Sequence, residues 1–301
     1  NHHGALMPKD TAVISPNLGL YLGRSPLTVP LRGLSDGYNF RIEEGRLTNI
    51  NLGWVKYSAL NFGNPVTLID TFFIRGGQQR QIIGTTTDLY TYDPETDVAL
   101  YINAIYAVGT VDVTAEDGTI DTGTPAWLTN DVKPGDFISF GSATENDPTE
   151  PWYEIEDVTN TTLTLTGVGV PAPINNSTYT IRRTFTGEVN SVWSTATFVA
   201  PDDGTGDDLW FATNGVDYVV TWDGSASTVV IQSALGFKCR EINVYKNMMI
   251  YANISTDGGD ELPTTFYNSD IQKPLDISLG LAGIFRAHSG VDAILALRNL
   301  G

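Results

Sequence analysis

The residues with most to offer chemically are carboxylates. The run PDDGTGDDLW at 201–210 places Asp202, Asp203, Asp207 and Asp208 around two glycines. Hard cations such as Ca²⁺ take several oxygen ligands, and glycine lets a backbone curl to add carbonyls, so the four aspartates are a candidate calcium site. The run lacks the glutamate at the twelfth position that an EF-hand loop requires. Its other reading is a solvated acidic turn. A second run, STDGGDELP at 255–263, has the same two readings with fewer carboxylates. No other cofactor is expected.

Other chemistries find little support. His288 lies in AHSGVD, where His, Ser and Asp are neighbours in sequence, which does not make a triad, and no G-x-S-x-G turn is present. P-loop, G-x-G-x-x-G and H-E-x-x-H patterns are missing. Acidic residues are plentiful, yet nothing singles out two of them as the acid and nucleophile of a glycosidase. The expectation is a protein that is not an enzyme. Cys239 is the one cysteine, which excludes an intrachain disulfide and a Cys-based zinc site. It reads as a small buried hydrophobe. Trp54, Trp193, Trp210 and Trp222 read as core rather than as a sugar platform.

The bulk composition narrows the partners. In 301 residues, 17 Lys and Arg face 35 Asp and Glu, a formal charge of −18. Gripping nucleic acid on an open surface rests on cations that neutralise phosphates, so that class is disfavoured, as is an anionic membrane surface. No apolar run reaches membrane-spanning length, so no membrane anchor is expected.

Strands must position whatever these residues do. Val, Ile, Thr and Tyr alternate with polar residues, and turn residues recur every eight to twelve positions. Predicted strands include residues 66–74, 162–168 and 217–222, and a hairpin over 242–254 turns at Lys246-Asn247. The opening 1–55 is rich in Gly and Pro and reads as an extended arm ending in a hairpin at Glu44-Gly45.

Internal repetition organises the rest. LYTYDPET, with Asp93, and VVTWDGSA, with Asp223, look like copies of one another, and TFYNSDIQKP supplies a third turn at Asp270. Removing an interrupting stretch at 109–183 leaves a spacing near about 50 residues with four strand-like runs per unit, which is the period of a β-propeller blade. The alternative is a β-sandwich with chance similarity between turns. The expected architecture is therefore all-β, with propeller blades at 56–108 and 184–301 and a small β-barrel or sandwich inserted at 109–183. Insertion is tolerated where loop ends lie close together. The inserted stretch has its own core candidates, among them Val111, Trp127, Phe137, Ile138, Trp152, Ile155, Leu163 and Tyr179.

The inserted stretch resembles a small β module of tailed-bacteriophage virion proteins. Its marks are GTVDVT, WLTNDVKPGD, WYEIEDV and TTLTLT. EINVYKNMMIYANI followed by NSDIQKP resembles a blade of phage virion propellers, and DGYNFRIEEGRL resembles their N-terminal segment. The resemblance implies a structural component of a phage tail located in the virion, such as a nozzle or hub. Its implied partners are further copies of itself in a ring, neighbouring tail proteins or fibres, and DNA that passes without being held. An acidic lumen suits such passage, because carboxylates repel phosphates. The competing functional class is a module that recognises carbohydrate or a receptor on the host surface. Three blades cannot close a propeller of four to eight, and SGVDAILALRNLG resembles the start of another, so the polypeptide is expected to continue past Gly301; the alternative is that a neighbouring subunit supplies the missing strands.

Overall fold

In the computed structural model the described residues are 40–43, 46–49, 60–113, 120–121, 127–141, 151–166, 174–202, 206–287, 293–294 and 297. The chain divides into two units, Asn1–Ala59 and Leu60–Gly301. In the first, β1 (Phe40–Glu43) pairs antiparallel with β2 (Arg46–Asn49), Glu43 opposite Arg46. The expected turn at Glu44-Gly45 falls between them, outside the described residues, as do Trp54 and the remainder of the expected arm.

The second unit is all-β. Among its described residues the only helical turns are 3-10 turns at Leu128–Asn130 and Ser233–Leu235. The first sheet is a meander of β3 (Val66–Phe73), β4 (Gln79–Thr85), β5 (Leu89–Asp93) and β6 (Val98–Tyr101). A module follows, built from β7 (Ile105–Tyr106), β8 (Val111–Val113), β9 (Ile120–Asp121), β10 (Phe137–Phe140), β11 (Tyr153–Val158), β12 (Thr162–Thr166), β13 (Ile174–Ser177) and β14 (Tyr179–Arg182). The second sheet is a meander of β15 (Ser194–Phe198), β16 (Leu209–Thr213), β17 (Val220–Trp222) and β18 (Val230–Ile231). The third repeats the pattern with β19 (Phe237–Tyr245), β20 (Met248–Thr256), β21 (Glu261–Asn268) and β22 (Gly283–Arg286).

The three meanders stack in chain order. Leu68, Phe72, Ile82 and Leu89 of the first sheet share a core with Trp210, Ala212, Val220 and Trp222 of the second. The opposite face of the second sheet sends Phe198 and Phe211 into a core with Phe237, Cys239, Ile242, Met249 and Tyr251 of the third. A strand buried on both faces needs apolar residues at successive positions, and β16 (LWFAT) and β17 (VTW) have nearly that. Each fully buried large side chain contributes about 1.5–3 kcal/mol of transfer free energy, so these two shared cores carry the stack. Closure into a ring is not seen among the described residues.

The repeated aspartates all fall at or just after their sheets' third strands: Asp93 ends β5, Asp223 follows β17 by one residue and Asp270 follows β21 by two. Asp93 accepts hydrogen bonds from the Glu95 amide (2.9 Å) and the Thr96 hydroxyl (2.8 Å). Asp223 accepts from the amides of Ser225 (2.8 Å) and Ala226 (2.7 Å). Asp270 caps a longer excursion by accepting from the Leu281 amide (2.9 Å). A short side-chain acceptor that bonds the backbone two or three residues on is what starts a turn. The hairpin at Lys246-Asn247 is present, with φ of 47° and 58°, as a two-residue turn with left-handed central residues demands.

The module encloses one core of its own: Val111, Val113, Trp127, Val132, Ile138, Ile155, Leu163, Leu165, Tyr179 and Ile181. Its strand order is β13-β8-β9-β12-β11-β10-β14-β7, and among the described residues no ladder joins the two ends. The chain joins them instead. The pair β7/β14 lies at one end and β8/β13 at the other, and the same two segments run from one to the other, with Tyr179 Oη donating to Val108 O (2.7 Å) at the corner. The sheet starts at Ile105, four residues before the expected span, because Ile105 and Tyr106 pair with Arg182 and Ile181. Phe137 and Trp152, expected in the core, are only half-buried. Together with Tyr101 of β6 they surround the Arg182 guanidinium, at 5.1, 4.8 and 3.8 Å from the three ring centres. A cation over aromatic faces is stabilised by the ring quadrupoles, and here it joins module to sheet.

Candidate functional site

A polar cluster lies where the module meets the stack. The chain leaves β6 through Ile102-Asn103-Ala104 and returns through Arg183-Thr184-Phe185. The crossings are adjacent, since Arg183 N donates to Ala104 O (2.8 Å) and Asn103 Nδ2 donates to Arg183 O (2.7 Å). Asn103 also donates to Asp88 Oδ1 (3.0 Å) and accepts from the Leu89 amide (2.7 Å), which ties both crossings to the first sheet. Phe185 and Trp193 pack edge to face at 4.9 Å, and Trp193 Nε1 donates to Thr85 O (3.0 Å).

Two carboxylates anchor the return. Asp136, fully buried, accepts from the Thr184 amide (2.7 Å) and hydroxyl (3.1 Å) and from the Lys133 amide (3.0 Å). Arg183 Nε stands 3.3 Å from its second oxygen, at ion-pair distance but outside hydrogen-bond alignment. The same guanidinium donates to the carbonyls of Asn130 and Asp131. Asp217, in the turn between β16 and β17, accepts from the Thr186 amide (2.7 Å), the Thr186 hydroxyl (2.8 Å), Asn214 Nδ2 (2.8 Å) and Lys133 Nζ (3.2 Å). Lys133 thus reaches from the module to the second sheet.

Their environments push the two acids apart. Burial raises the Asp136 carboxyl above its ordinary value, more than the Thr184 amide and the Arg183 charge lower it. Burial also raises Asp217, but Lys133 and the hydrogen bonds from Asn214 and Thr186 outweigh it and hold that carboxyl below its ordinary value. A cleft of ≈ 360 Å³ opens beside them, lined by Lys133, Arg183, Asp217, Tyr218 and Lys238 among others. The Tyr218 hydroxyl donates to Asp257 (2.8 Å), and that bond pushes its pKa up to about 12. Hydrogen bonds and ion pairs from Lys133, Asp136, Arg183 and Asp217 cross between module and stack, which is the arrangement of a joint that ties the two together.

The four aspartates of the acidic run are placed differently. Asp202 is exposed, and its amide donates to Gln272 O (2.6 Å). Asp208 Oδ1 accepts from the Ala200 amide (3.0 Å). Arg75 donates to Gly206 O (2.6 Å), so a cation of the first sheet already borders the run. Asp207 is exposed, and Asp203 lies outside the described residues. Among the described residues no three acidic, histidine or cysteine side chains are grouped to hold a metal. His288 also lies outside the described residues. Cys239 is buried, and burial pushes its thiol far up. Trp193, Trp210 and Trp222 are core residues, 6%, 0% and 4% exposed.

Asp136, Asp217 and Lys133 carry the joint, and sequence reasoning did not single them out. For Asp136 a signal was available: it is the Asp of WLTNDVKPGD, and three other residues of that motif are also structural. Trp127 is fully buried and donates to Tyr179 Oη (3.2 Å), Val132 is core, and Gly135 adopts φ of 90° to turn the chain. The motif marks a way of folding and docking a module.

No family model matches the chain, and no curated protein matches it. Among solved structures it is similar to a phage phi92 endosialidase, at 13% identity and a TM-score of 0.23, over 75% of this chain and 38% of that one. A likeness that slight carries no argument about fold or activity.

Proposed function

We propose that this chain is a structural component of a bacteriophage tail, of the nozzle or hub type. In this reading the three meanders are blades of a β-propeller, and the module is mounted on the first. The observation that supports it most is the stack itself: three successive four-stranded meanders, the middle one buried on both faces. Four-stranded sheets packed face to face around an axis are what a propeller is made of. The phage character rests on the motifs quoted above, whose Trp127 and Asp136 are built into the core and joint. A charge of −18 favours a channel that lets DNA slide rather than bind. Partners would be other copies in a ring, with neighbouring tail proteins docked on it.

Electron microscopy of the purified protein tests this. Class averages should show rings of fixed symmetry with a central channel. Particles that remain single copies at all concentrations would overturn the ring. If a glycan array then showed saturable binding lost on removal of the module, carbohydrate recognition would take its place.

A further inference from the structure

The first and second sheets share a core around Trp210 and Trp222. Between them lies a groove of ≈ 780 Å³, within the range of built ligand sites. One wall is the face of β4–β6; the other is Trp222 and the Gly224–Ser227 turn. One end is closed, because Val229 N donates to Ile102 O (2.7 Å). The other end opens at the Asp93 turn.

β6 borders this groove and is the outer edge of its sheet, pairing among the described residues with β5 alone. Exposed edges are normally guarded by charge, proline, a bulge or brevity. The fourth strand of the second sheet is guarded by being two residues long, and that of the third carries Arg286. β6 reads VALY, has regular register, and leaves Val98 and Leu100 45% and 46% exposed on one face. An apolar, unguarded edge beside a preformed groove has the form of a site completed by another strand.

We propose that this groove binds an extended peptide segment of a partner protein, which adds to β6 as a fifth strand. Alternate apolar side chains of the peptide would lie against Val98 and Leu100, and a Lys or Arg would follow at the open end. The preference for a cation comes from the mouth, where Asp93 and Glu95 sit. Hydrogen bonds from the Thr96 hydroxyl and the Glu95 amide hold the Asp93 carboxyl below its ordinary value, so it stays anionic. Arg80, the one cation in the lining, is turned to the wall, donating to Gly224 O (3.3 Å) and Gln78 Oε1 (3.4 Å). The inference goes beyond the tail reading and does not depend on it: peptide binding by a chain that forms no ring would remove that reading and leave the groove standing.

The test is selection of random linear peptides displayed on a carrier against the full chain, followed by fluorescence anisotropy with the winning peptide. Selected peptides should alternate apolar and polar residues and carry a basic end. Leu100→Lys places a guarding charge on the edge at an exposed position and should weaken binding by about tenfold or more. A thermal melt checks that the variant folds. N-methylation of alternate peptide amides should abolish binding to the wild type, which tests strand addition without altering the protein. Failure to enrich any peptide, equal binding by Leu100→Lys, indifference to N-methylation, or a preference for acidic peptides would each overturn the proposal.

Discussion

The module and the stack bury their strands in opposite ways. In the module a single sheet folds round one core, and every residue of that core comes from positions 106–181. In the stack the two large cores are shared: Trp210 and Trp222 complete the first sheet, while Phe198 and Phe211, on the reverse face of the same second sheet, complete the third; a smaller cluster of Ile83, Tyr90 and Tyr92 lies on the first sheet's other face, packed with Leu60 and Phe62. A core owned by one element can melt alone, whereas cores shared in series couple their elements.

Tryptophan truncations on the two sides should therefore differ in reach, and theirs is the largest expected effect. Trp127→Ala and Trp210→Ala each empty a fully buried site and should each destabilise by about 3–5 kcal/mol. Hydrogen exchange should show Trp127→Ala loosening β8–β14 while amides of β16 and β20 stay protected. Trp210→Ala should loosen all three meanders together, with the added loss of its indole bond to Asp70 (2.8 Å). Uniform loosening by both variants would refute separate cores.

Next in size is a turn substitution that separates two copies of one repeat. At Asp93 the residue that follows is proline, and at Asp223 it is Gly224 with φ of 79°. A Cβ on Gly224 would lie 2.6 Å from Ile74 and 2.9 Å from Phe72. Gly224→Ala combines a left-handed backbone with overpacking and should cost about 1–3 kcal/mol by denaturant melt. Pro94→Ala, already without those constraints, should stay within about 0.5 kcal/mol. Equal effects would mean that the two turns are braced alike.

Much of this was legible in sequence because period and turn chemistry are local. Alternation gave β3 and β12 nearly to their ends, and Lys246-Asn247 gave the hairpin. The aspartates at 93, 223 and 270 were found because each bonds backbone within a few residues or caps a loop directly after its strand. The joint was illegible for the converse reason. Lys133 and Asp217 are 84 residues apart, and Asn103 and Arg183 are 80 apart. Nothing in a solvated-looking lysine or a turn aspartate announces a partner at that distance. Arg182 is similar: as one basic residue it gave no hint that Phe137 and Trp152 would turn outward to meet it.

Within the joint, the two carboxylates offer a comparison that pH can read. Asp217 has a depressed folded value, so its stabilising contribution is fully present above the ordinary carboxylate range and is lost as pH falls through the folded value. Asp217→Asn removes the partner of Lys133 and an acceptor of Thr186. At neutral pH it should cost about 1–3 kcal/mol, and the gap to wild type should narrow on acidification. A gap that is constant from neutral pH down to acid would show that the charge of Asp217 is not what holds the module.

Asp136 should behave as the mirror image, with the smallest effect at neutral pH. Its folded value is raised, so the folded state binds a proton at a pH where the unfolded state has already released it. Stability from this group is therefore greatest below the ordinary carboxylate value and declines as pH rises through the folded one. Asparagine keeps an acceptor for the Thr184 amide and removes the buried charge, but turns a donor toward the Lys133 amide. These opposing changes should leave Asp136→Asn within about 1 kcal/mol of wild type at neutral pH. On acidification the wild type gains what the variant cannot, so the gap between them should widen, opposite in sign to Asp217→Asn. Urea melts of both variants at stepped pH give the two slopes side by side. If both gaps narrow together, the burial that sets Asp136 apart is not felt by the folded protein, and the joint works as a single ion-pair network.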